Sequence, residues 1–222
     1  MSDTSFDYYA RKKHDHGHHD HAPAAGKDEG PPSEYEVMSR AMQELLEAKG
    51  VVTAEEIRRR METFEEEFPY RGSRVIARAW TDPAFKQRLL NDGKAACAEM
   101  GVELEATRLI AVENTPDVHN VIVCTLCSCY PRELLGMPPT WYKSDNYRAR
   151  VVRDPRSVLK EFGTVLPDDV IVRVHDSNAD MRYVVVPMRP AGTEGWSEHK
   201  LAEILTRDTL VGVTVSRVPA KG

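Results

Sequence analysis

The sequence has no long hydrophobic run. Its apolar stretches end after a few residues, far short of the roughly 20 that span a bilayer. It also has no glycine-rich phosphate loop, nucleophile elbow or internal repeat, so the common phosphate-binding, α/β-hydrolase and solenoid readings do not apply. No basic stripe is present: 30 Lys and Arg interleave with 35 Asp and Glu, for a formal net charge of -5. That balance excludes nucleic acid as the expected partner, and no lysine-rich amphipathic stretch suits a membrane surface. The opening MSDTSFDYYARKKHDHGHHDH lacks the apolar segment of a secretory signal. Four cysteines, Cys97, Cys124, Cys127 and Cys129, do not form the framework of a disulfide-stapled secreted domain. A cytoplasmic globular protein is expected. Its 222 residues, 41% of them hydrophobic, suffice for one core with an appendage.

Composition shifts along the chain predict three regions: a tail over 1–32, a helical arm over 33–72 and a mixed domain over 73–222. The tail alternates His14, His16, His18, His19 and His21 with aspartates and ends in APAAGKDEGPP. Such a stretch cannot bury enough apolar surface to offset its ordering entropy, so disorder is expected. Its imidazoles suit transient metal capture, although nothing there fixes a ligand geometry. Ser33 with Glu36, and Thr53 with Glu56, read as capping boxes opening two helices of the arm, the first closed by Gly50. Two more helical stretches follow, SRVIARAW and AFKQRLLNDGKAACAEMG, with Cys97 as a small packing residue of the second. RLIAVEN, VHNVIV, DVIVRVHD and RYVVVP read as β-branched strands, with a helical stretch from Trp141 to Phe162 between the pairs. A helix capped by Ser197 and a last strand, LVGVTV, complete the pattern. Helices and strands in this irregular order predict an α+β fold of layered αβα type, not a Rossmann fold.

Chemistry concentrates in VCTLCSCYP, residues 123 to 131. The spacing leaves four readings open. A redox CxxC leaves the third cysteine unexplained. A closed zinc site needs a fourth ligand, for which His119 is the nearby candidate. An iron–sulfur cluster would borrow Cys97, a poor donor inside a helix. The fourth reading uses the backbone: the Cys127 and Cys129 sulfurs and the Ser128 and Cys129 amide nitrogens can close chelate rings on one metal in a single plane. Cys124 then approaches as an axial thiolate and one position stays open. That donor set suits a small trivalent ion.

The same motif, with WYKS, RARVVRDPR, EFG, RPAGTEGWSE and TRD after it, strongly resembles the metal-bearing α subunit of nitrile hydratase. It resembles equally the related γ subunit of thiocyanate hydrolase. The resemblance runs from about Ser73 to Val213. It implies a low-spin metal held by Cys124, Cys127 and Cys129 and by the amides of Ser128 and Cys129. It further implies Cys127 oxidised to sulfinic acid and Cys129 to sulfenic acid. Thr125, where iron-type members usually have Ser, points to Co(III), with Fe(III) ranked behind it. The implied partner is a β-type subunit supplying arginines to the oxidised cysteines, and a metallochaperone or activator is a further one.

The expected activity is hydration of a nitrile to an amide, with Cys127 and Cys129 at the reacting centre. The alternative is conversion of thiocyanate to carbonyl sulfide and ammonia. A lesser alternative is a non-catalytic cobalt-binding or redox-sensing protein. Arg132 stands where typical hydratases carry Trp, and an arginine beside an open metal position favours an anionic substrate. Asp176, in RVHDSNADMRY, falls where relatives have an acidic residue near the site, with Arg182 following it. Both suit support of the metal loop or the partner interface, and equally an ordinary strand-end aspartate and a surface arginine. Tyr142 and Tyr147 suit either the partner interface or the core.

Overall fold

The computed structural model describes residues 34–57, 68–104 and 108–218. The histidine tail, the Ser33 cap and residues 58–67 of the arm lie outside the described residues. The chain divides into two units at residues 63 and 64. In the first, α1 (Glu34–Ala48) ends where Gly50 turns to φ 65°, and Val51 N–H reaches back to the Leu46 carbonyl at 3.0 Å. A left-handed residue at that place is the usual helix stop. The Thr53–Glu56 capping box is formed: each backbone N–H donates to the other's side chain, at 2.8 and 3.1 Å.

The second unit opens with α2 (Phe68–Thr81), α3 (Pro83–Asn91) and α4 (Gly93–Glu99). The single stretch expected over AFKQRLLNDGKAACAEMG is thus two helices. Asp92 divides them: its extended backbone ends α3, and its carboxylate accepts from Ala95 N–H to start α4. Strands β1 (Arg108–Glu113) and β2 (Val118–Val123) follow, joined by a tight corner in which Thr115 N–H donates to the Val118 carbonyl at 2.9 Å. The stretch from Trp141 to Phe162, expected as one helix, is three: α6 (Thr140–Lys143), α7 (Asp145–Val151) and α8 (Pro155–Glu161), after a short α5 (Arg132–Leu135). Ser144 and Asp154 cap α7 and α8 and so cut the run. Strands β3 (Ile171–Asp176) and β4 (Met181–Val186) meet at a second corner, where Asn178 Oδ1 accepts from the N–H groups of Asp180 and Met181.

Neither corner makes a hairpin. β1 pairs in parallel with β4, and β2 pairs in parallel with β3, giving two two-stranded sheets. β2 is buried on both faces from His119 onward, the pattern of a parallel strand covered on two sides. Helices α3 and α4 lie on β1 and α8 lies on β3, so the expected α+β fold is present with helices layered over strands.

Helices α9 (Glu198–Ala202) and α10 (Arg207–Val211) finish the unit. Here the expected last strand is replaced by a helix. Thr206 and Thr209 form a capping box, and Gly212, at φ 90°, stops the turn. Two local signals outweigh the β-branched composition of LVGVTV. A Cβ at Gly212 would stand 2.0 Å from the Asn120 carbonyl oxygen, so α10 docks on β2 only because that residue is glycine. No helix among the described residues is long and apolar enough to cross a membrane.

Candidate metal centre

Because β2 and β3 are parallel, their carboxyl ends lie side by side: Val123 pairs with Asp176. Cys124 leaves β2 at that point, at the end of the sheet where α/β folds commonly place ligands. The thiols of Cys124 and Cys127 are 3.4 Å apart, those of Cys127 and Cys129 are 3.1 Å apart, and all three sulfurs lie within 4.8 Å of one another. Cys124 is buried, Cys129 is half-buried and Cys127 is exposed, so the cluster opens to one side.

The thiols share their protons unequally. Hydrogen bonds from the thiols of Cys129 and Cys124, then from the amides of Cys129 and Ser128, pull the Cys127 thiol below its ordinary value. Burial, and then the Cys127 sulfur, push Cys129 up, while the charge of Arg182 works the other way. The Cys127 amide donates to the Cys124 sulfur at 3.3 Å, and the Ser128 and Cys129 amides belong to the short loop that carries the three sulfurs. Thiolates and nitrogens in that arrangement suit a transition metal of high affinity for soft donors.

The other metal readings lose their fourth ligand. His119 is buried at the start of β2, with Nε2 2.7 Å from the Gly212 carbonyl and Nδ1 3.3 Å from Asn114 Nδ2. The Gly212 contact requires Nε2 to donate, and burial holds the ring neutral. Cys97 is fully buried in α4, apart from the cluster, and burial pushes its thiol up to about 12.

Side chains from two directions fasten the loop. Asp176 accepts from Thr125 N–H at 2.9 Å with Oδ1 and from the Thr125 hydroxyl at 2.6 Å with Oδ2. From the helical side, Tyr142 Oη donates to the Cys129 carbonyl at 2.9 Å and Tyr147 Oη to the Ile122 carbonyl at 2.6 Å. Both tyrosines are buried and their rings join those of Tyr130 and Trp141, so they belong to the core. Arg148 Nη1 donates to the Cys127 carbonyl at 3.2 Å. Arg132 begins α5 three residues past Cys129 and is exposed. Its helix is seated by Gly72 of α2, where a Cβ would meet the Leu134 carbonyl oxygen at 2.8 Å. Arg182 lies on β4, opposite Leu109 of β1.

The sequence singled out the thiols, Ser128, Asp176 and Arg182, but not the carbonyl tethers from Tyr142, Tyr147 and Arg148. Their only sequence signal is the aromatic and basic run WYKSDNYRAR shortly after the cysteines.

The family model for the nitrile hydratase α chain matches residues 33–214. A low-molecular weight cobalt-containing nitrile hydratase subunit α from Rhodococcus rhodochrous is 50% identical over 195 residues, covering 86% of this chain and 94% of the relative. A thiocyanate hydrolase subunit γ from Thiobacillus thioparus is 44% identical over 197 residues, covering 83% of this chain and 81% of the relative. Among solved structures, a double mutant of an Fe-type nitrile hydratase from Comamonas testosteroni Ni1 superposes with a TM-score of 0.78 at 41% identity, covering 85% of this chain and 95% of that one.

Proposed function

The chain belongs to the nitrile hydratase α-chain family, and from that premise we propose that it is the cobalt-bearing subunit of an enzyme that adds water to a nitrile. The reaction joins R–C≡N and H₂O into R–C(=O)NH₂, active with a β-type partner subunit. The observation that carries this reading is the convergence of three cysteine sulfurs within 4.8 Å at the carboxyl end of β2.

Cys124, Cys127 and Cys129, with the amide nitrogens of Ser128 and Cys129, would hold the metal as Co(III). Cobalt bound there supplies Lewis acidity that polarises a nitrile or lowers the pKa of water. The chain's own residues provide the rest. Asp176 fixes the start of the loop through Thr125, and Tyr142 fixes its end through the Cys129 carbonyl. Cys127 is the exposed corner of the cluster; in our reading it matures to sulfinic acid and Cys129 to sulfenic acid. Arginines of the partner then neutralise the oxidised sulfurs, and an activator or metallochaperone assists loading. In our reading the metal-binding domain over 73–222 is preceded by an arm over 33–72 and a tail over 1–32, and α2 runs across the boundary at 72 and 73. The enzyme works in the cytoplasm.

A second reading, thiocyanate hydrolysis, draws on Arg132, an exposed cation three residues past the last thiol. The 50% identity to a cobalt hydratase against 44% to the thiocyanate hydrolase γ subunit favours hydration.

The deciding experiment co-produces the chain with its partner subunit in cobalt medium and offers acetonitrile, a carboxylated nitrile and thiocyanate side by side. Amide from the nitriles is the expected result. Carbonyl sulfide and ammonia from thiocyanate alone would reassign the chain. Bound cobalt with no turnover of any of the three would leave a metal-handling protein.

A further inference from the structure

The middle of the metal loop has a fastening that the cysteine motif does not contain. Arg148 lies in α7 with only 20% of its side chain exposed. One arm of its guanidinium pairs with Asp145, and Nη1 donates to the Cys127 carbonyl at 3.2 Å. Its Nε–H is buried and has no acceptor. The fork therefore keeps the loop carbonyl and Asp145 at the expense of a third bond of its own.

That carbonyl belongs to the peptide joining Cys127 to Ser128. A trans peptide is planar, with its C=O and N–H on opposite edges; the chain contains no cis peptide among the described residues. Drawing the carbonyl toward Arg148 turns the Ser128 N–H to the opposite edge of the peptide, away from Arg148. The tethers on either side leave this peptide alone. Asp176 holds Thr125, and Tyr142 holds the Cys129 carbonyl, which lies on the peptide to Tyr130.

We propose that Arg148 is a positioning residue that sets the orientation of the Cys127–Ser128 peptide, aiming the Ser128 nitrogen at the three thiols so that it can serve as a metal donor. The inference rests on the reading of the loop as a cobalt site. Arg148 touches neither the thiols nor substrate in this role. It acts through the peptide plane. Lys, with one point donor in place of a planar fork, can keep the carbonyl bond and lose the geometry only in part.

The test uses the full chain co-produced with its partner subunit in cobalt medium, as wild type, Arg148→Met, Arg148→Lys and Asp145→Asn. Cobalt per chain is measured after dialysis against a chelator, with the thiolate-to-cobalt absorption band and the thermal midpoint recorded on the same samples. Arg148→Met is expected to weaken cobalt retention by roughly 10- to 100-fold, the usual scale for a partner behind a metal ligand, and to shift the band of any cobalt that remains. Arg148→Lys should restore most of both. An Arg148→Met assembly with the wild-type midpoint, wild-type cobalt and an unshifted band overturns the inference. If the Met variant does not assemble, Asp145→Asn decides, because the Asp145 side chain is 94% exposed and its loss spares the core. A smaller loss of cobalt with a shifted band supports the inference, and wild-type values sink it. Wild-type protein that takes up no cobalt would instead overturn the reading of the site itself.

Discussion

Cys97 and Cys127 are the same residue in two regions that treat it in opposite ways. Cys97 sits in α4 among alanines, fully buried, and burial pushes its thiol up to about 12. Cys127 sits at the exposed corner of a loop, where two thiols and two amides donate toward its sulfur and pull its pKa down. The difference shows that hydrogen bonds aimed at a sulfur favour its thiolate, the form a metal binds. Cys124 is as buried as Cys97, yet it has the Cys127 amide within 3.3 Å of its sulfur.

The comparison breaks most visibly on the loop side. Cys127→Ser or Cys129→Ser should abolish cobalt retention and turnover together in the assembled enzyme, with little change in thermal midpoint. Elemental analysis and an amide assay read this directly, and a Cys129→Ser enzyme with wild-type cobalt and rate would refute the mechanism. Asp176→Asn keeps the shape of the loop anchor and removes its charge. A loss of about 10- to 100-fold in cobalt affinity is expected, seen by chelator competition. On the helix side the pattern inverts: Cys97→Ala should leave cobalt content unchanged and cost about 1 kcal/mol of stability, the scale of one small buried group. Chemical denaturation at neutral pH measures it, and any cobalt loss would unsettle the contrast.

The effect that is smallest near neutrality concerns pH. The folded chain holds the Cys97 proton up to about 12, whereas an exposed thiol releases it near 9. The unfolded chain is thus favoured progressively as pH rises between those values, and stability falls. The contribution is fully present below pH 9. Denaturation of wild type and Cys97→Ala at several pH values should give curves that converge on the alkaline side.

Much of the architecture is visible before folding is considered. The β-branched runs become β1 to β4 at the expected places, and the cysteines locate the site because their spacing is local. Two kinds of feature were hidden. Asp92, Ser144 and Asp154 break helical runs at single capping residues, and Thr206 with Thr209 and Gly212 converts a strand-like segment into α10. Such caps add about 1 kcal/mol each, enough to decide short elements whose propensities are weak. The tethers at Tyr142, Tyr147 and Arg148 were hidden for another reason. They bind backbone carbonyls about 13 to 25 residues away, and a carbonyl carries no mark of its partner in the sequence.

The parallel pairing of β2 with β3 also sets an order of events. Thr125 and its anchor Asp176 are 51 residues apart in the chain. A ribosome therefore releases the three thiols well before it has synthesised the carboxylate that fastens their loop. During that interval the loop that carries them has no carboxylate to fasten it. A chain interrupted before residue 176 would keep the whole cysteine motif and still lack the carboxylate that fastens its loop.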